Sequence, residues 1–136
     1  MKIAIVAGRF NQAITENLVK GAQKALGEQK VPVYWIPGAY ELPLACQLLS
    51  EKHDALIAVG AVIRGETSHF DYVCEVASRG IAEVSRQKEI PIGFGVITAD
   101  TVRQAAARSA DNDNNFGYKA AMAAIDMLNL KKKINE

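Results

Sequence analysis

A three-layer α/β/α sandwich around a four-stranded parallel sheet is the fold that this 136-residue sequence predicts. Two observations carry it. Four apolar runs, KIAIVAG (2–8), VPVYWIPG (31–38), DALIAVGAVI (54–63) and PIGFGVIT (91–98), are too continuous for strands with one wet face. Between and after them lie segments whose apolar residues recur at helical spacing, so the order reads β-α-β-α-β-α-β-α-α. Strands buried on both faces and joined by helices pair in parallel, with helices on each side.

The elements follow in order. After the first strand, RFNQ is a polar turn. Ile14, Leu18, Ala22, Ala25 and Leu26 then mark a helix that Gly27 stops. The second strand ends at Pro37–Gly38. Glu41 to Lys52 reads as a helix with Leu42, Ala45, Leu48 and Leu49 on one face, and Pro43 falls in its first turn, where the missing N–H does no harm. The third strand breaks into the polar cluster IRGETSHFDY (63–72), followed by a helix of about twenty residues carrying Val73, Val76, Ala77, Ile81 and Val84. Beyond the fourth strand, Asp100 is placed to cap the helix TVRQAAARSA. The polar stretch DNDNNFG interrupts, and the helix YKAAMAAIDMLNL ends in lysines that suit a helix C-terminus.

Composition narrows the function classes. The length fits one domain over residues 1–136, with a core large enough to fold unaided. Apolar residues make up 49%, charged residues 23%, and the net charge is +1, as in ordinary soluble globular proteins. Without a basic excess, nucleic-acid binding has little support. No apolar run reaches the roughly twenty residues of a membrane span. MKIAIVAGRF reads as a strand, because no small-residue cleavage site follows it. Two distant cysteines, Cys46 and Cys74, in apolar surroundings suit a reducing, cytoplasmic setting.

In parallel α/β sheets, ligands bind beyond the C-terminal ends of the strands. The four exits here are RFN, PGAYE, IRGETSH and FGVITAD, all expected on one sheet edge. In RGETSH, Gly65 allows a sharp turn and Thr67 and Ser68 offer hydroxyls where a helix begins. That pattern fits an anion site, most naturally for phosphate, and equally fits a plain helix cap. His69 beside it is a candidate for proton transfer, or else a surface residue. His53 precedes a strand on the far side and reads as structural. Two histidines so separated, with no carboxylate–histidine spacing, do not make a metal site. Phe10, Tyr40 and Phe94 are placed at or near strand exits, where they could stack on a planar heterocycle or serve as core or interface residues. Glu41 adds a hydrogen-bond acceptor. Arg108 shares a helix with Arg103 and has the spacing of an ordinary solvated arginine. Cys74, five residues past His69, points away from it, which argues against a Cys–His nucleophile. No nucleophile elbow, P-loop or dinucleotide fingerprint is present.

GRFN (8–11), PGAYELP (37–43), GAVIRGETSHFDYVC (60–74), FGVITADT (94–101) and AAARSA (105–110) together resemble the lumazine synthases of riboflavin biosynthesis, from Lys2 to about Leu130. The resemblance implies a flavodoxin-like strand order. It also implies a transferase activity: condensation of 5-amino-6-(D-ribitylamino)uracil with 3,4-dihydroxy-2-butanone 4-phosphate to 6,7-dimethyl-8-ribityllumazine, with release of phosphate and water. It implies no metal and no organic cofactor, since the pyrimidine's own amine forms the imine.

Roles follow from the same resemblance. Phe10 stacks on the pyrimidine. Ala39, Tyr40 and Glu41 contact its ribityl side, and Ala61, Val62 and Ile63 read the ring edge through backbone groups. Glu66 and Thr67, with the helix N-terminus, hold the phosphate, and His69 transfers protons. Phe94 closes the pocket and Arg108 pairs with the phosphate, both from a neighbouring subunit of a homopentamer, with a capsid as a possible higher assembly.

The sequence departs from the family pattern after Arg108. A Gly-Asn-Lys-Gly stretch is common there; here DNDNNFG puts Phe116 at the lysine's place, with Lys119 downstream and the acids Asp111 and Asp113 added. The chain also starts at the first core strand, without the extension that many relatives pair with a neighbour's sheet. The Phe116 departure leaves open a lumazine- or flavin-binding protein without turnover. Fold analogy alone adds a flavodoxin-like electron carrier.

Overall fold

The computed structural model describes all residues, Met1–Glu136. Four strands, β1 (Ile3–Gly8), β2 (Val33–Ile36), β3 (Ala55–Ile63) and β4 (Ile92–Ala99), pair entirely in parallel in the order β2-β1-β3-β4. This is the flavodoxin-like order. The helices are α1 (Gln12–Leu26), α2 (Leu42–Ser50), α3 (His69–Lys88), α4 (Val102–Ser109) and α5 (Phe116–Ile134), with a short 3-10 turn over Ala39–Glu41 ahead of α2.

Alternation along the strands builds two cores. Ile3, Ile5 and Ala7 of β1, with Ile57 and Val59 of β3, pack under α1, α4 and α5. Ala4, Val6, Leu56 and Ala58 face the other way, against α2 and α3. In the central strands β1 and β3 the side chains are therefore covered whichever way they point, which is why these runs carry no polar alternation, while the edge strands leave Tyr34 and Phe94 exposed.

The first layer is tight where α5 crosses α1. A methyl group at Gly117 would collide with the Leu18 backbone carbonyl. Gly117→Ala therefore forces the helices apart, and overpacking of this kind costs about 2–3 kcal/mol. The denaturant midpoint, compared at equal protein concentration because any assembly makes it concentration-dependent, should fall. An unchanged midpoint would mean that the helices approach less closely than described.

Several expectations change in detail. Glu41 belongs to the 3-10 turn, so α2 starts one residue later, with Pro43 still in its first turn. Leu48 is exposed, because the buried stripe of α2 runs through Leu42 and Cys46. Thr101, not Asp100, caps α4. Its Oγ1 accepts from the Gln104 amide at 3.1 Å, and the Gln104 side chain accepts in return from the Thr101 amide at 3.2 Å. The residue three positions into the helix decides between two adjacent candidate caps. No helix is long and apolar enough to cross a membrane.

Candidate functional site

The sheet order reverses direction between β1 and β3, and a crevice opens beyond their C-terminal ends. A cleft of about 520 Å³ occupies it. Phe10 and Asn11 come from the exit of β1, and Ala39, Tyr40 and Glu41 from the turn after β2. Ala61, Val62 and Ile63 end β3, and His69 and Val73 come from the start of α3. Eight of the sequence-predicted site residues thus meet in one place.

The cleft's local chemistry follows from its backbone. The Phe10 amide donates to the Pro37 carbonyl at 3.1 Å, tying the first exit to the second. Its ring lies on Gly38, where an added Cβ would sit 2.9 Å from the ring edge. Gly38 therefore lets the aromatic face stay open, and Phe10 is 72% exposed. Tyr40, 56% exposed, adds a second solvent-facing aromatic. Such surfaces favour a planar ligand over a wholly polar one.

Asn11 is the residue that sequence reasoning passed over. It adopts the left-handed conformation, with φ 59° and ψ 49°, which Asn tolerates better than most residues. Its side chain does not cap α1. Instead Nδ2 donates to the Ala61 carbonyl at 3.1 Å, across the crevice. Gly38 and Val73 also line the cleft unforeseen. Asn11 stood in the motif GRFN, but its backbone conformation had no sequence signature beyond being an asparagine.

The loop after β3 leads from the cleft to α3. Glu66, Thr67 and His69 are exposed. The Thr67 hydroxyl accepts from the His69 amide at 3.3 Å, so Thr67 covers one of the free N–H groups at the helix start. Ser68 occupies the cap position without a side-chain cap bond. The cap reading of this loop is thus partly right: the Asp71 and Tyr72 amides donate to the Ser68 carbonyl at 3.0 and 3.4 Å, and the Phe70 amide is the one first-turn N–H left free.

Phe94 and Arg108 do not reach the cleft. Phe94 was expected near a strand exit, but it is the third residue of β4 and pairs with Ala58. The exit lies at Ala99, opposite Ile63, five residues or roughly 17 Å further on. Phe94 instead flanks a groove beside α3 with Ile81 and Ser85, and is 44% exposed. Arg108, in the last turn of α4, donates from Nη1 to its own helix at the Gln104 carbonyl, 3.0 Å away. It has no carboxylate partner.

The segment after Arg108 is ordered by Asn115. This buried side chain donates to the carbonyls of Asn17, Ser109 and Ala110 at 3.0–3.2 Å and caps α5 at the Tyr118 amide. Phe116 packs partly buried against the core, with the Lys119 ammonium 5.8 Å from its ring centre. Asp111 turns to Lys24 of α1 at 3.4 Å.

Neither cysteine is a nucleophile candidate. Burial pushes the Cys46 thiol up to about 12, and burial followed by the Asp71 charge also raises Cys74. His53 Nδ1 lies 2.8 Å from the Leu49 carbonyl, and its ring meets Tyr34 edge-on, as expected of a structural histidine. No three His, Cys, Asp or Glu side chains converge as metal ligands would.

A sequence profile of the 6,7-dimethyl-8-ribityllumazine synthase family matches residues 1–132. The chain belongs to this family. Among its relatives is the 6,7-dimethyl-8-ribityllumazine synthase of Kosmotoga olearia, 48% identical over 141 aligned positions that cover 98% of this chain and 90% of the relative. Membership makes the chain a transferase of riboflavin biosynthesis. The family identity and the cleft meet on the same residues: three of the five motifs, GRFN, PGAYELP and GAVIRGETSHFDYVC, are the segments that line it.

Proposed function

We propose that the chain condenses 5-amino-6-(D-ribitylamino)uracil with 3,4-dihydroxy-2-butanone 4-phosphate to 6,7-dimethyl-8-ribityllumazine, releasing phosphate and water. The observation that carries this is one cleft holding Phe10, Tyr40, Glu41 and His69 in a chain of this family. Phe10 stacks on the pyrimidine. Ala39, Tyr40 and Glu41 meet the ribityl chain, with the Glu41 carboxylate accepting from its hydroxyls. Backbone groups of Ala61, Val62 and Ile63 read the ring edge.

Phosphate binds at the start of α3, through Thr67 and main-chain N–H groups including that of Glu66, since the Glu66 carboxylate itself would repel an anion. His69 moves the protons. The pyrimidine's amine is the nucleophile, so the protein supplies position, proton transfer and stabilisation of the departing phosphate.

Phe94 and Arg108 complete a neighbouring chain's cleft rather than their own. Two unlike apolar surfaces support this. Leu44, Leu48 and Tyr72 are exposed on α2 and α3, and Phe94, Met127 and Leu130 on β4 and α5. Unlike surfaces that meet head to tail close into a ring, here a pentamer. Two free thiols suit the cytoplasm.

The test is the absorbance time course of lumazine formation from both substrates, with and without protein. Acceleration that saturates with each substrate is expected. A trace matching the uncatalysed control overturns the reading and favours a binder without turnover, with Phe116 the first suspect.

A further inference from the structure

Residues 65–68 cross from β3 to α3 exposed to solvent, and their one side-chain hydrogen bond is that of Thr67 to the His69 amide. A segment so thinly held would wander. Arg64, just before it, supplies the missing restraint. Its amide donates to the Ala99 carbonyl at 2.9 Å, joining the ends of β3 and β4. Its Nε donates to Asp100 Oδ1 at 2.8 Å, and Nη2 lies 3.6 Å from Asp71 Oδ1 in the first turn of α3. The guanidinium also lies over the Phe70 ring, 4.4 Å from its centre. Asp100 is itself fixed, because its amide donates to Gln104 Oε1 of α4 at 2.8 Å.

We infer that Arg64 is a positioning residue, which clamps the β3–α3 loop to the β4–α4 junction and so holds Thr67, the α3 N-terminus and His69 in register with the cleft. The inference rests on the proposed reaction. A cation beside a helix N-terminus invites the other assignment, a direct phosphate ligand. The charge count argues against that: one guanidinium already faces two carboxylates, and a phosphate reaching its remaining N–H groups would meet that negative charge. The planar fork serves two carboxylates and an aromatic face at once, which a lysine ammonium cannot reproduce. Because the pairs are half exposed they add little to global stability, so variants should fold.

The experiment compares Arg64→Ala, Arg64→Lys, Asp100→Asn and the Arg64→Ala/Asp100→Asn double variant with the unaltered protein. Kinetics on both substrates, Tm and hydrogen exchange across residues 64–76 are measured. Misplaced catalytic groups cost up to about a hundredfold. Arg64→Ala and Asp100→Asn should each lower kcat/KM for the phosphate substrate about tenfold, with Arg64→Lys rescuing little and the double variant no worse than either single change. KM for the pyrimidine and Tm should not move, and exchange in the first turn of α3 should quicken.

Loss in Arg64→Ala without loss in Asp100→Asn would make Arg64 a phosphate ligand and overturn the inference. So would faster exchange with unchanged kinetics, or no change in either. If the unaltered protein fails to turn over, the proposed reaction falls. In that case, unchanged exchange in Arg64→Ala and Asp100→Asn would overturn the clamp separately.

Discussion

Replacing Arg108 by alanine should raise the KM for the phosphate-bearing substrate by roughly ten- to a hundredfold. A hydrogen bond to a charged group contributes about 1.5–3 kcal/mol, and each factor of ten is about 1.4 kcal/mol. The KM for the pyrimidine should stay put. The side chain is exposed, its one bond is to its own helix, and no acid competes for it, so a phosphate can recruit it at little cost. Because Arg108 does not reach the cleft of its own chain, the proposal carries a sharper consequence. Chains bearing Arg108→Ala and chains bearing His69→Ala, unfolded together and reassembled, should regain activity above that of either variant alone when the phosphate substrate is held below the raised KM. Random mixing in a closed ring makes about a quarter of the sites whole, each with His69 from one chain and Arg108 from the next. No recovery in properly reassembled mixtures would place both residues in one chain's site. An unchanged KM in the single variant would remove Arg108 from phosphate binding altogether.

The architecture was legible because the central strands β1 and β3, covered on both faces, must be apolar throughout, and because four apolar runs alternate with helical spacing. The cleft was legible for a related reason: parallel pairing puts every strand exit on one edge, so polar motifs at exits must meet. What escaped the sequence were choices settled by small differences between neighbours. Asp100 and Thr101 both suit a helix cap. Gln104 selects Thr101 and leaves Asp100 to bind Arg64. Asn11 is one residue of a polar turn in the sequence, but its left-handed backbone sends the side chain across to Ala61. Leu48 reads as core, but a one-position rotation of the α2 stripe exposes it. Phe94 misled because a strand's exit is set by its partner's register, and the register of β4 on β3 cannot be counted from one strand alone.

His69→Ala should lower kcat about a hundredfold, within the 10²–10⁴ typical of positioned acid–base groups, with little change in either KM. The low end follows from the chemistry. The attacking amine belongs to the substrate and needs no activation to a stronger nucleophile, so the aligned pair still reacts, as it does unaided in solution. The loss should be kinetic, not structural. His69 is the first residue of α3, its side chain is exposed, and the bond that anchors this turn runs from its backbone amide to Thr67. Alanine keeps that amide. His69→Gln separates the two things a histidine can do: it restores a hydrogen-bonding side chain but cannot carry a proton through the reaction, so it should remain as slow as alanine. Recovery in the glutamine variant would mean that His69 orients substrate without transferring protons. A folded alanine variant with no acceleration over the uncatalysed reaction would mean that positioning and phosphate binding alone do nothing, and that the division of labour proposed for this cleft is wrong.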